Sequence, residues 1–263
     1  MKKKLKQLGA GLLAALALVM GILSGTTNAF AAEDDTMGKA YLADYDKASY
    51  KQVSGGVYAL YSDSDCTNEL CRVTTPEKGE AELGTFVEGI YYLRQITPPK
   101  GYIKNNSIQE YKIEGGRNKS TWILNQEQKG SLFVYHEGER VSGWDGSSFS
   151  YENENIGGTP IKLTAGADIY RADGTKVYSK GDVVKERVEP NRQGNIVLTG
   201  LTLGTYEVAE LESITGYLKG ETSYPVTIEY KNAWMTDSYA SLTIENTRQK
   251  ATVTVNTVDE KPE

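Results

Sequence analysis

The 263-residue chain carries a formal charge of −6, 18 tyrosines against 4 phenylalanines, two cysteines and one histidine. An acidic balance argues against a nucleic-acid partner. A single histidine with two neighbouring cysteines leaves no ordinary zinc ligand set, and glycine-rich phosphate loops and basic stripes are missing.

At the N-terminus Lys2, Lys3, Lys4 and Lys6 precede the apolar run Leu12 to Leu23, and Ala29-Phe30-Ala31 offers a small-residue cleavage site. This is the pattern of an export signal over residues 1–31. The run is broken by Gly21 and Ser24 and is short for a membrane span, and no later stretch is long and apolar enough to cross. Cleavage removes four lysines and takes the formal charge from −6 to −10. About 230 residues remain, enough for two domains of about a hundred each.

Beyond the signal, helical periodicity gives way to short alternating runs punctuated by Gly, Asp, Asn and Pro, the signature of an all-β sandwich. In a first module, residues 32–128, the runs predict strands over 40–45, 56–61, 71–74, 79–83, 91–96, 109–113 and 121–125. In a second, residues 129–249, they predict strands over 131–136, 161–170, 177–188, 195–198, 205–211, 224–230 and 241–246. Seven short strands per module is the number expected of an immunoglobulin-like or prealbumin-like sandwich. The link at 126–130 is too short for a free tether, so a rod-like tandem is expected. A polar insertion, 137–160, carries Trp144, Phe149 and Tyr151, and the tail 250–263 alternates like the first strand of a further module.

The two modules repeat a motif. Gly89-Ile90-Tyr91-Tyr92-Leu93-Arg94-Gln95 is closed by Gly101-Tyr102, and Gly204-Thr205-Tyr206-Glu207-Val208-Ala209-Glu210 by Gly216-Tyr217. With Ala165-Gly166-Ala167-Asp168-Ile169-Tyr170, Ala172-Asp173-Gly174-Thr175 and Gly55-Gly56-Val57-Tyr58-Ala59-Leu60-Tyr61, the chain resembles the Cna-B or SpaA-type prealbumin-like domains of Gram-positive surface proteins and pilins. That resemblance implies tandem β-sandwiches, no cofactor, no enzymatic activity and a secreted, cell-surface location. It also implies partners among other surface or pilus proteins.

Many members of that family are cross-linked by an isopeptide bond between a first-strand lysine and a last-strand asparagine, assisted by a buried glutamate. Burial would lower the lysine's pKa and raise the glutamate's, and contact among the three groups removes any need for an external enzyme. Here the asparagines are Asn125 and Asn246, and the glutamate position reads Gln95 and Glu210. The lysine positions read Asp44 and His136, neither of which can form that amide. Both modules are therefore expected to lack the bond and to hold non-covalent clusters instead, Asp44–Gln95–Asn125 and His136–Glu210–Asn246. Gln95 avoids burying a second acid beside Asp44, whereas Glu210 suits a cationic partner. Lys39 and Lys162 are the lysines that could replace the missing ones.

Other chemistry is weaker. An exported chain allows a Cys66–Cys71 disulfide, which would pin a hairpin. Asp63, Asp65, Asn68 and Glu69 share a loop without the spacing of a calcium site, so no metal is expected. The sequence thus points to a structural stalk or pilus-subunit-like protein. The other reading is an adhesin that binds a host glycan or protein through Trp144, Phe149 and Tyr151.

Overall fold

The structure is a computed structural model that describes residues 36–220 and 223–254. The expected export signal, and all but the start of the strand expected in the tail, lie outside these residues. The first module comprises β1 (Met37–Asp46), β2 (Gln52–Val53), β3 (Val57–Tyr61), β4 (Glu69–Thr74), β5 (Ala81–Val87), β6 (Gly89–Thr97), β7 (Ile108–Ile113) and β8 (Asn118–Asn125). The second comprises β9 (Lys129–Trp144), β10 (Phe149–Asn155), β11 (Ile161–Ala165), β12 (Ile169–Tyr170), β13 (Lys176–Tyr178), β14 (Val183–Val188), β15 (Ile196–Leu201), β16 (Gly204–Glu210), β17 (Tyr224–Ile228) and β18 (Asp237–Asn246).

Each module is built on two sheets packed face to face, and the second adds the separate pair β12-β13. In the first, β1 runs parallel to β8 on one edge and antiparallel to β5 and β2 on the other, facing the sheet β4-β3-β6-β7. The second repeats the plan, with β9 parallel to β18 and antiparallel to β15 and β10, facing β14-β11-β16-β17. Alternation along β1 turns Ala40, Leu42, Asp44 and Asp46 inward, and along β9 it turns Leu132, Val134 and His136 inward. Leu42, Leu60, Leu93 and Ile113 fill one core, and Leu132, Ile161, Leu163 and Val208 the other. Each such fully buried side chain contributes roughly 1.5–3 kcal/mol of hydrophobic stabilisation. Tyr58, Tyr102, Tyr111 and Tyr206 are also buried, and the hydroxyl of each finds a partner.

The strand expectations need three corrections. The stretch 161–170 is two strands, interrupted at Gly166–Asp168, and 177–188 is also two, because the turn 179–182 places Gly181 at φ 90°. The insertion 137–160 is largely not a loop. β9 runs on past His136 to Trp144 and folds back as β10, making a projecting hairpin. Its turn is held by the Asp145 carboxylate, which accepts from the Ser147 and Ser148 amides at 2.8 and 2.7 Å. The stretch reads as polar because most of the residues in the hairpin's outer part face water on both sides.

Candidate functional site

The parallel pairing of first and last strands sets up the same frame in both modules. Asp46 lies opposite Asn125, and Gly138 lies opposite Asn246. Asp44 and His136 each stand two residues earlier on the inward face, and both are buried to 0 % exposure. The structure therefore brings all six residues into two equivalent clusters, one per module.

In the first module the cluster is a closed hydrogen-bond network. Asn125 Nδ2 donates to Asp44 Oδ1 at 2.8 Å, and Gln95 Nε2 donates to Asn125 Oδ1 at 2.9 Å. Two residues that sequence reasoning did not assign complete it. The Tyr58 hydroxyl donates to Asp44 Oδ1 while accepting from Gln95 Nε2 at 2.8 Å, and the Thr75 hydroxyl donates to Asp44 Oδ2 at 2.5 Å. Gln95 Oε1 accepts from the Asn105 amide at 2.7 Å, so the network also fastens the loop that follows Tyr102. Gly56 makes the room, since a Cβ there would sit 2.1 Å from Asp44 Oδ2. The glycine pair 55–56 was the only sequence sign of that close approach. Burial pushes the Asp44 carboxyl above its ordinary range despite donation from Thr75, Tyr58 and Asn125. The Tyr58 hydroxyl is also raised, by burial and by the neighbouring Asp44 charge.

In the second module Glu210 is the hub. Asn246 Nδ2 donates to Glu210 Oε1 at 3.1 Å, and the Gly220 amide donates to Oε2 at 3.1 Å. His136 Nε2 lies 3.3 Å from Glu210 Oε1 without the alignment of a hydrogen bond. Burial pushes the Glu210 carboxyl up, but the contacts with His136, Asn246 and Gly220 outweigh it and leave the group below its ordinary range. Both ring nitrogens of His136 and Asn246 Oδ1 are buried without a hydrogen-bond partner. One cluster is saturated; the other is not.

Neither alternative lysine reaches these positions. Lys39 is exposed on β1, and Lys162 points out of the second sheet to meet Glu186 at 3.0 Å. The proposed ligand-contact aromatics sit on the hairpin. Trp144 and Phe149 flank its turn, 56 % and 55 % exposed with ring centroids 4.6 Å apart, and Lys250 Nζ lies 4.1 Å above the Tyr151 ring. Cys66 and Cys71 are not bonded to each other in this structure. Cys66 sits in the turn after β3 at φ 52°, whereas Cys71 is half-buried against the core, where burial pushes its thiol up. In the same turn the Asp63 carboxylate accepts from the Thr67 and Asn68 amides, so it is occupied in shaping the turn.

This architecture defines a class of tandem prealbumin-like β-sandwich proteins. The SpaA prealbumin-like fold domain matches residues 38–127 and 150–247, well over half of the chain, and the chain belongs to that family. Among solved structures, the Bacillus anthracis TIE protein is similar at 20 % identity and a TM-score of 0.54, over 81 % of this chain and 34 % of that one. The chain therefore spans about a third of that structure's length. The minor pilin GBS52 of Streptococcus agalactiae matches at 19 % identity and a TM-score of 0.33, over 84 % of this chain and all of that one. A streptococcal ancillary pilin matches at 17 % identity and 0.35, over 83 % and 64 % of the two chains. No curated protein matches.

Proposed function

We propose that the chain is an exported, non-enzymatic spacer of a Gram-positive cell surface, a stalk or pilus-subunit-like element whose modules are uncross-linked. The observation that carries this reading is the identity of the two residues in the frame. The buried first-strand positions two residues before those paired with Asn125 and Asn246 hold Asp44 and His136. A carboxylate and an imidazole supply contacts there but not the amide that a lysine would form. Membership of the SpaA family and the export-type N-terminus support the surface location, and its partners would then be other cell-surface or pilus proteins. Protease shaving of intact cells, followed by detection of peptides from 36–254, tests the placement. Recovery only after lysis would contradict it.

A second reading is favoured by one observation, the exposed Trp144–Phe149 pair at the tip of a projecting hairpin. Aromatic surface of this kind suits recognition of a glycan or a host protein. Binding on a glycan array that vanishes when 138–158 is replaced by a short turn would favour the adhesin. Unchanged binding, or none, would favour the spacer.

A further inference from the structure

A polar cluster outside the two frames lies where the modules meet. Asp46 ends β1 and is 1 % exposed; Glu127, in the short link after β8, is 6 % exposed. Both belong to the first module's end. Between them comes Arg171, from the turn joining β12 to β13 of the second module, with a guanidinium nitrogen 3.2 Å from Asp46 Oδ1 and Nε 3.5 Å from Glu127 Oε2. The same turn is fastened by its backbone, as the Ala172 amide donates to Glu127 Oε1 at 2.8 Å. On its flanks the Ser49 hydroxyl donates to Asp173 at 2.6 Å, and Lys51 Nζ donates to the Thr175 hydroxyl at 2.6 Å. Gly101, at φ 89°, lets the turn approach, because a Cβ there would stand 2.8 Å from that of Ala172. A second contact lies apart from Arg171. The Lys104 amide donates to the Ala233 carbonyl at 2.8 Å, and Gln128 Nε2 donates to the Asn232 carbonyl at 3.0 Å.

We infer that Arg171 is the key of a rigid joint, fixing the two modules as one mechanical body by neutralising two carboxylates buried where the modules meet. The physical reason is asymmetric. While Arg171 is present, closing the joint dehydrates Asp46 and Glu127 in contact with a cation. Without it, closure would bury two like charges with only Lys129 beside Glu127, and rehydrating them requires the joint to open. Asp46 also accepts from the Ala48 and Ser49 amides and from the Tyr102 hydroxyl, so it cannot swing away from the interface. The inference concerns the junction alone and holds whether the protein is a spacer or an adhesin.

Residual dipolar couplings of the two-module protein test it, because couplings within each module report that module's orientation and its integrity together. The parent protein should fit one alignment tensor across both modules. Arg171→Ala should need two tensors, each module still fitting its own. Adding Asp46→Asn and Glu127→Gln to Arg171→Ala keeps one acceptor oxygen on each side chain for the Ala48, Ser49 and Ala172 amides, removes the buried charges and should restore the single tensor. A single tensor for Arg171→Ala, or two tensors for the triple variant, would overturn the inference and assign the rigidity to the Lys104 and Gln128 contacts instead.

Discussion

The two modules place the same three positions on the same frame and fill them by opposite chemistry. The first module uses a buried acid with only neutral partners and satisfies it with three donors from Tyr58, Thr75 and Asn125. The second uses an acid and a histidine and leaves both ring nitrogens and an amide oxygen without hydrogen bonds. A saturated network is stiff and tolerates neutral replacement; a cluster with orphaned buried atoms depends on the few contacts it does make. The frame fixes where polar groups meet, and the partners decide what the meeting is worth.

The largest expected change comes from restoring a nucleophile where the rest of the trio is intact. His136→Lys places an amine beside Glu210 and Asn246 and should release one ammonia from the second module. A cross-link closing a loop of about a hundred residues would stabilise it by about 4.7 kcal/mol. Asp44→Lys should give no such product, because Gln95 stands where the proton-donating acid is needed; a mass loss there would erase the distinction between the clusters. Next, Glu210→Ala should destabilise the second module by about 3–5 kcal/mol in urea unfolding, since His136 and Asn246 would be left buried without their partner. Asp44→Asn should stay within about 1 kcal/mol of the parent at pH 7, because an amide can still accept from Tyr58 and donate to Thr75.

Acidity separates the modules by sign. Asp44 is raised in the fold, so its contribution is complete below its ordinary value of 3.8 and is lost as pH rises through the folded value. Glu210 is lowered, so its contribution is present above its ordinary value of 4.5 and is lost as pH falls through the folded value. Module-resolved hydrogen exchange should show the first contribution growing and the second shrinking as pH drops, and Asp44→Asn should abolish only the first. The smallest effect is expected at the hairpin tip, where Trp144→Ala should change stability by no more than about 0.5 kcal/mol. A larger loss would mean that the tip supports the sandwich.

The sandwich class and most strands were legible because β6, β9 and β16 alternate and each module carries the glycine-led tyrosine strand. Alternation also places Asp44 and His136 on the apolar face of their strands. Tyr58 and Thr75 were not legible as cluster members. Tyr58 reads as one more core tyrosine, and the destination of its hydroxyl depends on a strand from the opposite sheet. The joint was hidden for a related reason. Arg171 and Glu127 each look like an ordinary surface charge, Asp46 falls just beyond the expected strand 40–45, and only the module contact brings the three together. The hairpin was missed because both faces of its outer part are wet, which removes the alternation that marks a half-buried strand.

The central claim is that both frames are held without a covalent bond. Intact mass of residues 32–263, measured after reduction and denaturation, tests it most directly. The account predicts the mass of the unmodified sequence. A mass short by one ammonia or one water for either module would mean that a lysine has reached the frame, and would contradict it.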